Sequence, residues 1–122
     1  MNVTWIEHKG KRILYANYQG QQPEQMLETA RIQAKLMQES PTKVLLLTNM
    51  EDSHINHEVM QEIKILGKEI IEAKTERRAI VGISTLQTVF MGAYRFFTRS
   101  TVQEKTFDSE EAAKEWLVGP TL

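Results

Sequence analysis

Val44, Leu45, Leu46 and Leu47 follow one another with no polar residue between them, and that run limits what the chain can become. Four apolar positions without alternation suit a strand buried on both faces, the kind found inside parallel sheets. The predicted strand covers residues 43–48. Pro41 closes whatever helix precedes it, because proline disfavours helical geometry in the residue ahead of it. A polar stretch, 49–56, follows at once, and a long amphipathic segment begins at 56. Strand, loop and helix in that order predict an α/β protein in which the loop at the strand's carboxyl end tends to carry function.

At 122 residues the chain predicts one domain, 1–122. A chain of this size buries roughly two-thirds of the surface its unfolded form exposes. Fifteen basic and sixteen acidic side chains leave a net charge of −1, so no electrostatic footprint calls for nucleic acid. There is no cysteine, which removes disulfides, thiolate metal sites and thiol catalysis. No apolar run approaches the ~20 residues of a transmembrane helix. The first residues also lack the basic-then-apolar order of a signal peptide, so the expected location is cytoplasmic.

Residues 3–8 and 12–18 alternate in hydropathy around Lys9, Gly10 and Lys11, which predicts a β-hairpin. Pro23 and Glu24 open a helix whose inner face is Met26, Leu27, Ala30, Ala34 and Met37. Ile32 and Leu36 lie on the opposite side of it. The helix 56–74 turns Val59, Ile63, Leu66, Gly67, Ile70 and Ala73 inward, with Ile65 alone on the glutamate-rich face. Gly67 weakens a helix interior by ~1 kcal/mol relative to alanine, so close backbone packing is its expected reason. Arg77 and Arg78 lead into a second buried strand, 79–83. Ser84 or Thr85 then caps the helix 86–98, 102–107 forms a charged edge strand, and Asp108 or Ser109 caps a last helix that turns Ala112, Ala113, Trp116 and Leu117 inward. The order is ββαβαβαβα: a mixed five-stranded sheet with a parallel core and an N-terminal hairpin.

The buried strand 43–48 with its polar loop, the run Arg78-Ala79-Ile80-Val81-Gly82-Ile83 and the tail Phe107-Asp108-Ser109-Glu110-Glu111-Ala112-Ala113-Lys114-Glu115-Trp116-Leu117 together resemble the SpoIIAA-like proteins. That family belongs to the STAS fold group and is also likened to CRAL-TRIO lipid-binding domains. The resemblance implies a five-stranded sheet with helices beside it, and roles in protein partnering, apolar-ligand binding or membrane association. In anti-sigma-factor antagonists of this group, the loop after the central strand holds Asp-Ser, then a small hydroxyl residue and glycine, and the serine is a phospho-switch. Asp52 and Ser53 stand at the comparable place here, but His54 and Ile55 follow them.

Two stretches therefore compete as sites. Residues 86–99 hold three of the four phenylalanines. Leu86, Val89, Phe90, Ala93, Phe96 and Phe97 form the expected core stripe, while Met91 and Tyr94 carry apolar surface around the outer side beside Arg95 and Arg99. An amphipathic tyrosine, a pliable methionine and flanking cations suit a membrane surface or a partner. If this helix tilts away, bending at Gly92 and Gly82, its phenylalanines line a pocket for an apolar ligand. The expected function is thus non-catalytic binding of an apolar molecule, a lipid or a peripheral membrane surface through Phe90, Met91, Tyr94, Arg95, Phe96, Phe97 and Arg99. The alternative is a protein-interaction domain acting through 49–56, where Asp52 and Ser53 serve as phospho-switch or Ser53 or Asn56 serves as helix cap. His54 and His57 lack the spacing of zinc hydrolases, and no nucleophile–base pair or phosphate-binding glycine loop is present, so no enzyme, metal or cofactor is expected. Ile32, Leu36, Ile65, Met91 and Tyr94 leave apolar surface that a homodimer would cover.

Overall fold

In the computed structural model, which describes residues 2–120, the chain runs ββαβαβαβα as its hydropathy predicts. Strands β1 (Val3–His8) and β2 (Lys11–Asn17) pair antiparallel. Lys9 and Gly10 join them with φ of 50° and 81°, the two left-handed residues that a type I′ turn requires. β3 (Val44–Asn49), β4 (Thr75–Val81) and β5 (Gln103–Phe107) each add in parallel to the strand before, giving the order β1-β2-β3-β4-β5.

Alternation along the strands divides the core in two. On one face Leu14, Ala16, Val44 and Leu46 pack against Met26, Ala30, Ala34 and Met37 of α1 (Pro23–Glu39). On the other, Ile13, Leu47, Ala79 and Val81 meet Ala113 and Leu117 of α4 (Glu110–Val118). Full burial of such a side chain contributes ~1.5–3 kcal/mol. Ser109 is the cap of α4, accepting from Ala112 N at 3.2 Å. Ala112 itself faces solvent, and Trp116 is half-buried with its ring 5.5 Å from that of Phe107.

Arg77 and Arg78 do not lead into β4; they lie within it, both buried, one on each face. The Arg77 guanidinium donates to the carbonyl oxygens of Trp116 (2.7 Å), Gly119 (3.2 Å) and Pro120 (2.8 Å), closing the end of α4 where helix carbonyls lack partners. β4 stops at Val81, two residues before the predicted end, because Gly82 turns away at φ 76° and lies against Glu51, where a Cβ would come within 2.7 Å of backbone.

The predicted helix 56–74 is one rod with a change of winding: α2 (His57–Leu66), a π-helical turn (Gly67–Ile71) and a 3₁₀ turn (Glu72–Lys74). A π turn spends an extra residue per revolution and so rotates everything after it. Ile71 is buried as a result, while Ala73, expected inward, is exposed. Ile32 and Leu36 are likewise not free surface. They are half-buried against the α1 core, because α2 lies along that flank. The third helix, α3 (Thr85–Thr98), packs chiefly on α2 and the π-helical turn. Beneath it lies a cavity of about 80 Å³.

Candidate functional site

The orientation of α3 is fixed at its first turn. Ser84 Oγ accepts from Gln87 N at 3.2 Å, and Gln87 Oε1 accepts from Ser84 N at 2.7 Å, a reciprocal capping box. This holds Gln87 on the inner side, and helical spacing then sets Phe90, Met91 and Tyr94 below it. Gln87 and Tyr94 are buried; Phe90 and Met91 are half-buried at the cavity wall. Of the predicted stripe only Phe90 faces in, and the rest is reversed. Leu86 is 61% exposed, Val89 66% and Phe96 87%, with Phe97 at 39% and Ala93 also outside. Met91 and Tyr94, expected outside, face in. The physical reason is that the surface receiving α3 offers polar acceptors, which reward Gln87 and Tyr94 more than another phenylalanine.

One of those acceptors is Glu72. Tyr94 donates its hydroxyl to Glu72 Oε2 at 2.7 Å, and its ring lies where a Cβ on Gly67 would be, 2.6 Å from Tyr94 Cε1. The expected reason for Gly67 holds: only glycine lets this ring reach the π-helical turn. Arg78, entering from β4, bonds Glu72 Oε2 at 2.7 Å and Glu104 Oε1 of β5 at 2.7 Å. Arg95 Nη1 lies 3.1 Å from the same Glu104 oxygen, near enough for charge attraction although its N–H is not aligned as a hydrogen bond; Arg95 Nη2 donates to Val102 O at 3.2 Å. Two carboxylates thus balance two guanidiniums. Burial alone would raise the Glu72 carboxyl, but Arg78 overrides it and holds the group below the ordinary range. Burial raises the Tyr94 phenol, so it remains a hydroxyl donor.

The cavity under α3 is lined mainly by apolar side chains, among them Met26, Leu46, Met60, Phe90 and Met91. At about 80 Å³ it has room for a small apolar group. Tyr18 closes its polar side by donating to Gln33 Oε1 at 2.6 Å.

In the loop after β3, Asn56 and not Ser53 caps α2, accepting from Val59 N at 2.8 Å. Ser53 is 8% exposed. Its hydroxyl donates to Met50 O at 2.7 Å and accepts from Gln87 Nε2 in a short contact. Asp52 is exposed in a left-handed conformation (φ 55°), 3.6 Å from His54. His57 bonds Gln61, and among the described residues no three metal-capable side chains gather. Arg99 is exposed and ends α3 in the left-handed conformation. Lys64 and Lys68 of the neighbouring rod hold their ammonium groups 5.7 and 5.5 Å from the Phe97 ring centre. The outer face of α3 is thus apolar with cations at its margin.

Gln87, Glu72, Arg78 and Glu104 escaped the sequence reading. A signal existed for two of them: Ser84-x-x-Gln87 is a capping-box pattern, and Arg78 continues the strand run 77–81 without a break. Nothing local marks Glu72 or Glu104, whose partner is Arg78, 6 and 26 residues away.

Five strands in sequential order, an N-terminal hairpin, three helices on one face and a fourth on the other make this a SpoIIAA-like fold. The structure is similar to the crystal structure of an uncharacterized protein of the DUF3478 family with a SpoIIAA-like fold from Shewanella loihica PV-4, with a TM-score of 0.73 over 94% of this chain and 91% of that one. The two sequences are 16% identical, so the likeness is one of fold. No family model and no curated protein matches this sequence. Among the described residues no helix is long and apolar enough to cross a membrane.

Proposed function

We propose that the chain is a non-catalytic binding module that engages an apolar partner through α3, with an anionic membrane surface as the favoured one. The observation that supports this reading is the outward face of α3, where Leu86, Val89 and Phe96 stand in solvent. Lys64, Lys68 and Arg99 lie at its border. Burying each such side chain contributes ~1.5–3 kcal/mol, and each cation near an anionic bilayer adds ~1 kcal/mol. The half-buried residues Phe90 and Met91 join the contact only if α3 lifts, which would also open the cavity to a small apolar ligand. Arg95 belongs to the latch that Glu72, Arg78, Tyr94 and Glu104 form under α3 and not to the contact face, since it is drawn toward Glu104.

Flotation on vesicles tests the reading. Recovery is expected with phosphatidylserine-rich vesicles, less with phosphatidylcholine alone, and loss in Leu86→Ser/Phe96→Ser. No recovery on either vesicle would end the membrane reading. A hydrophobic adduct in native mass spectrometry would then favour the cavity instead.

A further inference from the structure

The two stretches that the sequence set in competition meet at one side chain. Gln87 Nε2 donates to Met50 O at 3.0 Å, to Ser53 O at 3.0 Å and to Ser53 Oγ, while its Oε1 stays engaged in the α3 capping box. Gln87 is therefore a strap between the first turn of α3 and the loop after β3. The opposite side of that loop is fastened elsewhere: Gly20 N donates to Glu51 O at 3.0 Å and His54 N to Gln21 O at 2.9 Å. Release of α3 would remove the cover of Ser53 and leave the loop's other anchorage in place.

We propose that Gln87 couples the two surfaces into one two-state device: with α3 seated, Ser53 is closed off, and with α3 lifted, Ser53 is presented on a loop that remains folded. Reciprocity follows, because any partner that stabilises the lifted helix exposes Ser53, and any group on Ser53 too large to fit beneath Gln87 lifts the helix by the same factor. The surroundings favour this division. Ser53 Oγ accepts from Gln87 only while α3 is down, whereas its donation to Met50 O lies within the loop and needs nothing from that helix. Its backbone N–H bonds Met50 O at 3.2 Å, a bond that needs nothing from α3. The coupling rests on the proposed movement of α3 but not on what that helix binds.

The absence of cysteine supplies a direct test, since Ser53→Cys places a single thiol of nearly the same size at the covered position. The reaction rate of that thiol with a maleimide reports how often the site is open. Ser53→Cys is expected to label slowly in the folded protein, and Ser53→Cys/Gln87→Ala at least ten-fold faster with an unchanged circular-dichroism spectrum. Because removal of Gln87 also weakens a helix cap, Ser53→Cys/Thr88→Gly serves as the control. Thr88 is exposed and its hydroxyl donates to Ser84 O, so glycine there loosens α3 while Gln87 stays in place, and labelling should rise along with hydrogen exchange in 85–98. Equal labelling with and without Gln87 overturns the coupling, as does a rise in exchange across 49–56 equal to that in α3, which would mean the loop unfolds with the helix. Phosphatidylserine-rich vesicles should speed labelling of Ser53→Cys. If they do not, while Gln87→Ala does, the coupling stands and the membrane reading fails.

Discussion

The two faces of the sheet are closed in different ways. α4 sits directly on β1 to β5, presents Ala113 and Leu117 to Ile13, Leu47, Ala79 and Val81, and has its end tied by Arg77 through four carbonyls. α3 turns polar side chains inward, attaches by Gln87, Tyr94 and Arg95, and leaves Leu86, Val89, Phe96 and Phe97 outside while Phe90 and Met91 border a cavity. Dispersion and hydrophobic burial are collective and resist piecemeal loosening. A few directional bonds over a cavity release together once their geometry is lost, so α4 is built to stay and α3 is the helix that the proposed movement would free.

The contrast breaks most clearly in the core. Leu117→Ala should cost ~2–5 kcal/mol in chemical denaturation, as full burial in a packed face implies; a cost under 1 kcal/mol would put α4 in the same class as α3. Next in size, Tyr94→Phe should cost ~1.5–3 kcal/mol, since it removes a hydrogen bond to a charged group. Its hydrogen exchange should rise in 85–98 and not in 110–118, and a uniform rise would erase the distinction. Asn56→Ala should cost ~0.5–2 kcal/mol as an ordinary cap loss without altering α3. Phe96→Ser should change stability within ~0.5 kcal/mol, being a surface substitution, while weakening vesicle recovery.

Acid sharpens the same comparison without mutation. The Glu72 carboxyl titrates below its ordinary 4.5 in the folded chain. A group with a depressed folded pKa contributes stability above its unfolded value and loses it as pH falls through the folded one. Protection of 85–98 should therefore decline below about pH 4.5, ahead of 110–118, whose tie from Arg77 ends on backbone carbonyls and whose own depressed carboxyl, Glu115, meets His8 and Lys9 in open solvent where such bonds are worth little. Loss of both helices together would show that Glu72 is not a local latch.

Most of the frame was readable from the chain. Val44 to Leu47 marked the central strand, Lys9 and Gly10 marked the hairpin, and Gly67 pointed to a close approach that Tyr94 supplies. What failed was direction. Residues 86–98 are apolar over most of the helix circumference, so hydropathy alone assigns no inner side, and the side was chosen by partners in other elements: Ser53 for Gln87 and Glu72 for Tyr94. Hydropathy alone sets Arg77 and Arg78 outside the strand, since charged side chains are seldom buried unpaired. Their partners at Glu72, Glu104 and the end of α4 exist only once the sheet is assembled.

The sequential strand order also has a consequence for how the chain becomes folded. Each strand pairs with its predecessor, so the sheet can grow in the direction of synthesis, one hairpin or crossover at a time. α4 is different: it follows every strand and touches all five. Until residues 110–118 emerge, Ile13, Leu47, Ala79 and Val81 form an open apolar face, and Arg77 has no carbonyl to hold. During synthesis this face is therefore the last that can be closed, and the interval before α4 emerges is when the nascent chain is most exposed to adhesion by others.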